Sequence, residues 1–160
     1  EYFVEAAAKV LERTDNVRFI MAGSGDMMDA MIRLAAERNI SDRFHFTGFM
    51  KGQQVYEVFK ASDVYVMPSV SEPFGISPLE AMQCGVPSII SYQSGCAEIL
   101  DYAVKVDYWD IDAMADAIYA LITYPEMHAF LKEEGLREVN NITWEAAGRK
   151  VRAIYDRYVR

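Results

Sequence analysis

Two carboxylates, Glu72 and Glu80, stand eight positions apart in the segment SEPFGISPLEAM. Glu72 follows an apolar run that ends at Pro68, so it is predicted to lie in the loop at the carboxyl end of a strand. A carboxylate in such a loop can accept hydrogen bonds from the hydroxyl groups of a ligand. Glu80 has a structural alternative, because the sequence SPLE at 77–80 has the form of a capping box, with Ser77 as the cap. The segment is therefore a binding turn with paired carboxylates, a capped helix start, or both.

Backbone amides between the two carboxylates can supply complementary hydrogen-bond donors. Phe74, Gly75 and Ile76 precede the predicted helix, where unpaired N–H groups and the helix dipole favour a phosphate. Glu72 would repel a bare phosphate, but it would accept hydrogen bonds from sugar hydroxyls. A ligand that carries both kinds of group is a sugar phosphate or a nucleotide sugar, and the segment predicts that class.

A second turn with glycines, GSGD at 23–26, joins a predicted strand to a predicted helix. Gly23 and Gly25 would let backbone amides approach an anion at the start of that helix. The turn lacks the third glycine of the dinucleotide-binding fingerprint, which disfavours an ordinary Rossmann dehydrogenase. Taken alone, a tight turn without ligand contact is the slightly favoured interpretation of this segment.

Length and composition are those of one globular domain, with 160 residues of which 52% are hydrophobic and 25% are charged. The formal net charge of -8 disfavours a surface that binds nucleic acid. Cys84 and Cys96 have no metal-ligand spacing, so no metal and a reducing, cytoplasmic compartment are expected. No apolar run is long enough to predict a membrane-spanning helix.

Short apolar strands alternate with amphipathic helices along most of the chain. The expected N-caps of the late helices are Thr143 and either Asp110 or Asp112. Strands are predicted at 17–23, 43–49, 63–69, 86–91 and 103–107, and helices at 1–14, 26–39, 52–62, 96–101, 111–124, 125–139 and 143–159. Because most strands are continuous apolar runs, the sequence predicts an α/β fold with a Rossmann-like, doubly wound parallel sheet. Such sheets bind ligands at the carboxyl ends of their strands, where the two candidate turns fall.

The segment DVYVMPSVSEPFGISPLEAMQCGVPSIIS, residues 63–91, resembles the signature of the retaining glycosyltransferases of family 4, also called group 1. The segments RFIMAGSGD, DRFHFTGFM and SGCAEIL are similar to further parts of that family. These enzymes have the GT-B fold, in which two Rossmann-like domains face a cleft. The resemblance implies that residues 1–160 are the C-terminal, donor-binding domain, with 143–160 as its terminal helix. It also implies that the first strand of this domain, the loop with its diphosphate-binding Arg and Lys, and the N-terminal acceptor domain are absent from the chain.

The resemblance also implies a role for each candidate residue. Glu72 would be the catalytic residue and would contact hydroxyls of the donor sugar near the diphosphate. The amides of residues 74–76 would bind the sugar and the diphosphate, and Glu80 would hold the ribose hydroxyls of the nucleotide. The turn at 23–26 would line the nucleotide pocket.

The implied reaction is the transfer of a sugar from a nucleoside diphosphate sugar to an acceptor, with retention at the anomeric carbon. The nucleotide sugar is the donor substrate, and neither a cofactor nor a metal is implied. The chain alone is expected to be inactive as a transferase and to be cytoplasmic, with any membrane association made through the acceptor domain. One alternative stays open: a non-catalytic module on the same scaffold that binds a nucleotide or a sugar phosphate.

Overall fold

The computed structural model describes residues 1–158, in which strands and helices alternate up to residue 123 and two further helices follow. The strands are β1 (Phe19–Ala22), β2 (Phe44–Gly48), β3 (Tyr65–Met67), β4 (Ser88–Ser91) and β5 (Val104–Val106). The α-helices are α1 (Tyr2–Leu11), α2 (Met28–Glu37), α3 (Gln53–Ala61), α4 (Ser77–Gln83), α5 (Ile111–Thr123), α6 (Pro125–Asn140) and α7 (Trp144–Tyr158). The last two positions of the predicted terminal helix, 159 and 160, lie outside the described residues.

The strands form two parallel sheets, one with the order β1-β2 and the other with the order β3-β4-β5. Helices cover both faces, because α1 and α5 pack together on one face whereas α4 and α6 pack on the other. Adjacent residues of β4 show this alternation, since Ile89 packs in the first helix layer and Ile90 in the second. The predicted α/β fold with parallel, doubly wound strands is confirmed, and the sheet is divided between β1 and β3.

The central strand of the larger sheet, β4, is buried along its whole length. Ile89 and Ile90 have no exposed surface, as expected for a strand that helices cover on both faces. The buried hydroxyl of Ser91 donates to the carbonyl oxygen of Ser69 over 2.6 Å, so its polar group is satisfied. The hydrogen bond also fixes the segment that leaves β3 against the end of β4.

The two expected caps at late helices are confirmed. The Asp110 carboxylate accepts from the Ala113 amide over 2.9 Å, and the Thr143 hydroxyl accepts from the Ala146 amide over 3.1 Å. Each bond satisfies an N–H group that has no partner inside its helix. The helix predicted at 96–101 is instead a short 3-10 helix, Gly95–Glu98, because its amides bond three residues back, as the Ala97 amide does to Ser94.

A bidentate ion pair joins α1 to the end of α2. Arg38 donates to the Glu5 carboxylate from Nε over 2.8 Å and from Nη2 over 2.7 Å. The hydrogen bond from Arg38 lowers the pKa of Glu5. A lowered pKa in the folded state means that the stabilisation is present at neutral pH and is lost as the pH falls through that pKa.

Glu5→Gln is therefore expected to lower the melting temperature by a few degrees at most, because both partners are partly exposed and screened. The difference from the parent chain should be present at neutral pH, shrink as the pH falls below the ordinary Glu pKa of about 4.3, and vanish below the lowered pKa of the folded state. Thermal denaturation across this range measures it, with Glu57→Gln on the exposed side of α3 as the control. A difference that persists unchanged in acid would contradict the assignment of the stabilisation to this pair.

Candidate functional site

The loop after β3 lies against the loop after β4, and backbone hydrogen bonds hold the two together. The Glu72 amide donates to the Gln93 carbonyl over 3.4 Å, and the Gly95 amide donates to the Glu72 carbonyl over 3.0 Å. Further along, the Cys96 amide donates to the Phe74 carbonyl over 2.7 Å. The backbone of Glu72 is thus fixed on both sides at the carboxyl edge of the sheet, as predicted for its position.

Glycine is required at two places where these loops meet. Gly75 has a φ of +89°, and a Cβ there would lie 2.8 Å from Cε of Met67 and 3.2 Å from Cγ of Glu72. At Gly95, a Cβ would lie 2.2 Å from the carbonyl oxygen of Pro73. The close approach of the loops, and therefore the position of the Glu72 side chain, depends on both glycines.

Hydrogen bonds extend this layer to the loop after β5. The Gln93 side-chain amide donates to the Asp107 carboxylate over 2.9 Å, and its oxygen accepts from the Tyr108 amide over 3.4 Å. Gln93 also accepts from the Glu72 amide through its carbonyl. Hydrogen bonds therefore connect the loops after the three successive strands β3, β4 and β5, and Glu72 is the residue that the β3 loop contributes to this network.

The predicted capping box at the start of α4 is wrong. Ser77 is the first residue of the helix rather than its cap. The N-cap position belongs to Ile76, and no side-chain hydrogen bond caps the helix there. The turn at Gly75 already places Ile76 in helical backbone geometry, and the Ser77 hydroxyl accepts from the Tyr65 hydroxyl over 2.8 Å. The Glu80 carboxylate makes no hydrogen bond within residues 1–158, so the structure removes the structural explanation that the sequence offered for it.

Both carboxylates act on the same tyrosine. Burial raises the pKa of Tyr65, the hydrogen bond with Ser77 lowers that pKa by a smaller amount, and the charges of Cys96, Glu80 and Glu72 add still smaller upward effects. The charges of both carboxylates therefore reach the Tyr65 hydroxyl, although eight positions separate the two residues in the sequence.

The amides of residues 74–76, which the sequence predicts to bind a phosphate, follow Glu72 in the same loop. The Phe74 amide lies 3.4 Å from Oε1 of Glu72 and donates to it. The amides of Gly75 and Ile76 have no acceptor among the described residues, and the Ile76 side chain is 65% exposed. Open donors thus stand next to a carboxylate, an arrangement that suits a ligand with both acceptor oxygens and hydroxyl groups.

The other predicted turn, at Gly23 and Gly25, ends the smaller sheet. Gly23 has a φ of +123°, and its amide donates to the Gly48 carbonyl over 2.9 Å, which ties the ends of β1 and β2 together. A Cβ at either glycine would meet no atom within 4 Å, so the space in front of the turn is open. Within residues 1–158, no hydrogen bond joins this turn to the loop of Glu72. The candidate site therefore has two parts, one on each sheet.

Three residues that support the site had not been selected from the sequence: Tyr65, Gln93 and Gly95. Tyr65 is one of several aromatic residues on apolar strands, and nothing local distinguishes it. Gly95 gave a usable signal, because the pair Ser94-Gly95 shortly after a predicted strand is typical of a turn.

Comparison with known proteins identifies the family. The chain belongs to the group 1 glycosyl transferases, since the model of that family matches residues 1–138. It is 41% identical over 105 residues to an uncharacterized glycosyltransferase of Methanocaldococcus jannaschii, an alignment that covers 66% of this chain and 27% of the relative. The chain spans at most 41% of the length of the leading curated relatives.

Solved structures show the same fold. Sucrose-phosphate synthase from Thermosynechococcus elongatus matches with a TM-score of 0.78 and 26% identity, over 96% of this chain and 41% of that one. HepE of Anabaena, solved in complex with UDP-glucose, matches with a TM-score of 0.78 and 20% identity, over 86% of this chain and 39% of that one. The fold is that of GT-B glycosyltransferases, as the sequence predicted.

Residues 1–158 contain neither a candidate membrane-spanning helix nor a candidate metal cluster. None of the helices there combines the length and the apolar character needed to cross a membrane. Over the same range, His, Cys, Asp and Glu side chains form no group of three or more that is arranged to hold a metal ion.

Proposed function

We propose that this chain is the C-terminal, donor-binding domain of a retaining glycosyltransferase of family 4 and that it binds a nucleoside diphosphate sugar. The observation that carries the proposal is the position of Glu72, which backbone hydrogen bonds hold at the carboxyl edge of the sheet next to the open amides of Gly75 and Ile76. Carboxylates accept hydrogen bonds from hydroxyl groups, and amides donate them to phosphate oxygens. A nucleotide sugar carries both kinds of partner in one molecule.

Each part of the site has a role in this proposal. Glu72, fixed at the edge of the sheet, accepts from hydroxyls of the donor sugar, and the amides of residues 74–76 donate to the sugar and the diphosphate. Glu80, which has no hydrogen-bond partner within residues 1–158, accepts from the ribose hydroxyls. The open turn at 23–26 lines the nucleotide pocket from the other sheet. The complex of HepE with UDP-glucose supports this class of ligand, because that protein has a similar fold.

The reaction proposed for the whole protein is sugar transfer with retention at the anomeric carbon. In such a reaction, the bond between the sugar and the diphosphate breaks, and the leaving diphosphate gains negative charge. Amide donors held in fixed positions stabilise that charge without reorganisation during the reaction. The acceptor would be bound by a further domain, so the 160-residue chain alone is expected to bind the donor without transferring its sugar.

Nucleotide titration of the isotope-labelled chain tests the proposal. Uridine, guanosine and adenosine diphosphates are added separately, and the shifts of the backbone amide signals are followed. At least one nucleotide is expected to shift signals at residues 72–80 and at 23–26, because these segments form the proposed pocket.

Inorganic phosphate is the control, since it tests for simple anion binding. If none of the three nucleotides shifts the signals of residues 72–80, the assignment of the site is wrong. Shifts of equal size with phosphate alone would reduce the site to an anion-binding turn.

A further inference from the structure

The Glu72 carboxylate depends on its backbone for its position. Within residues 1–158, the carboxylate accepts one hydrogen bond, from the Phe74 amide, and this bond is long at 3.4 Å. The backbone of Glu72, by contrast, bonds to the residues on both sides of Ser94, which is the pattern of a single parallel bridge between the two loops. The direction of the carboxylate therefore depends on how firmly residues 93–95 are held.

The Gln93 side chain holds this segment against the loop after β5. Its Nε2 donates to the Asp107 carboxylate over 2.9 Å, and its Oε1 accepts from the Tyr108 amide over 3.4 Å. One side-chain amide thus acts as a donor to one residue and as an acceptor from the next, a combination that an ionised carboxylate cannot provide. A glutamate of the same size would instead place a second negative charge against Asp107.

The loop after β5 is a firm support for this contact. The Asp110 amide donates to the Asp107 carbonyl over 3.0 Å, and the Asp110 carboxylate caps α5. The Tyr108 ring makes edge-on contacts with Tyr2 of α1 and with Trp109, at centroid distances of 5.2 and 4.7 Å. Hydrogen bonds and aromatic packing therefore attach the two residues that bond to the Gln93 side chain to the layer formed by α1 and α5.

Among the described side chains of residues 93–95, that of Gln93 is the one that bonds to the loop of another strand. The Ser94 hydroxyl donates to the Ser91 carbonyl within its own loop, and Gly95 has no side chain. Gln93 carries on a single Cα both the side chain that Asp107 accepts from and the carbonyl that accepts from the Glu72 amide over 3.4 Å. Release of the side chain would therefore loosen the peptide group that pairs with Glu72.

We infer that Gln93 is a positioning residue for Glu72. Its side chain transmits the fixed geometry of the loop after β5 to the Glu72 backbone, and so sets where the carboxylate meets the donor sugar, without itself touching the ligand. This inference rests on the proposed binding of a nucleotide sugar through Glu72. Because Glu72 is assigned to the sugar and not to the nucleotide, a change at Gln93 should weaken the binding of the sugar selectively.

Gln93→Glu tests the inference first without any ligand. The substitution keeps the length of the side chain but removes the donor to Asp107. The Gly95 amide, which donates to the Glu72 carbonyl, is then expected to exchange its hydrogen roughly tenfold faster or more than in the parent chain. The Ile90 amide in β4 is the internal control and should exchange equally in both proteins. Unchanged exchange of the Gly95 amide would overturn the inference.

Calorimetric titration measures the contribution of the sugar. UDP, GDP and ADP are compared with UDP-glucose, GDP-glucose and ADP-glucose, and the measured quantity is the affinity for the sugar form divided by the affinity for the diphosphate. Gln93→Glu is expected to lower this ratio by roughly tenfold, the size of one hydrogen bond to a charged group. The added negative charge acts on both ligands alike, so the ratio is insensitive to it. Gln83→Glu, at the exposed end of α4, is the matched control and should leave the ratio unchanged.

A second substitution, Asp107→Asn, should rescue Gln93→Glu in the same chain. The new amide at position 107 would donate to the new carboxylate at position 93, so the hydrogen bond is restored with donor and acceptor exchanged and with the net charge of the parent. The ratio is expected to return to within about twofold of the parent value. A ratio that stays as low as in Gln93→Glu alone would contradict positioning through this hydrogen bond.

Glu72→Gln separates this inference from the proposed function. If it lowers the ratio whereas Gln93→Glu does not, the proposed function stands and only the positioning role of Gln93 is overturned. If Glu72→Gln leaves the ratio unchanged, or if none of the six ligands binds to the parent chain, the proposed function fails and the inference fails with it.

Discussion

Replacing Gly95 with alanine is expected to lower the free energy of unfolding by about 3 kcal/mol, at the upper end of the usual cost of overpacking. An added Cβ would lie 2.2 Å from the carbonyl oxygen of Pro73 and 3.0 Å from its carbonyl carbon. Both are backbone atoms, so no side-chain rotation relieves the contact. The loops after β3 and β4 must therefore move apart. Urea denaturation of the variant and the parent chain measures the loss.

Gly148→Ala is the matched control for this substitution. A Cβ at Gly148 meets no atom within 4 Å, and the residue lies inside α7. Alanine is favoured over glycine in a helix by roughly 0.5–1 kcal/mol, so this variant should be neutral or more stable than the parent. If Gly95→Ala unfolds at the same urea concentration as the parent chain, the two loops are not in contact as described.

Movement of these loops would also change the candidate site. The Gly95 amide donates to the Glu72 carbonyl over 3.0 Å, and that hydrogen bond fixes the residue whose carboxylate faces the proposed donor. We therefore expect Gly95→Ala to weaken nucleotide binding even at temperatures where the variant stays folded. Nucleotide titration of the folded variant separates this local effect from the loss of global stability.

Much of the local structure could be predicted from the sequence, because it depends on patterns within a few residues. The apolar run at 86–91 predicted a strand covered on both faces, and β4 is buried throughout. Asp110 and Thr143 cap their helices through bonds to amides three residues ahead. The position of Glu72 at the carboxyl edge followed from the end of the preceding strand, with no need of long-range information.

The start of α4 could not be predicted, because a distant residue decides it. Ser77, Pro78 and Glu80 match a capping box, and the pattern is complete in the sequence. The hydroxyl of Ser77 bonds instead to Tyr65, twelve positions earlier, and the helix begins one residue earlier than a Ser77 cap requires. A tertiary contact thus replaced a local one, and it left Glu80 free for another role.

The division of the sheet was also beyond sequence patterns. Strand propensity predicts where strands occur, but the pairing of parallel strands depends on contacts between residues far apart in the chain. The close approach at Gly95 has the same origin, since its neighbour Pro73 lies in the loop after a different strand. Both features are visible only once the strands have been assembled.

The second large effect is expected from substitution of the two carboxylates, Glu72 and Glu80. In a full-length enzyme of the proposed kind, Glu72→Gln is expected to lower kcat/KM for sugar transfer by roughly a hundredfold or more, the scale found when a polar group at a reacting centre is removed. Glutamine keeps the size of the side chain and an oxygen that can accept from the Phe74 amide, which lies 3.4 Å from Oε1. It loses the negative charge and part of the capacity to accept from sugar hydroxyls. The free energy of unfolding should stay within about 0.5 kcal/mol of the parent value.

Glu80→Gln in the 160-residue chain completes the comparison and decides between a ligand contact and a structural role. A hydrogen bond to a charged group contributes about 1.5–3 kcal/mol, so nucleotide affinity should fall by roughly tenfold to a hundredfold. Stability should not change, because the Glu80 carboxylate caps no helix. Calorimetric titration and thermal denaturation measure the two quantities, with Glu57→Gln as the control. Unchanged affinity with a lower melting temperature would mean that Glu80 is structural. Lower affinity at unchanged stability requires a contact that exists only when the nucleotide is bound, and the proposed ribose contact is of that kind.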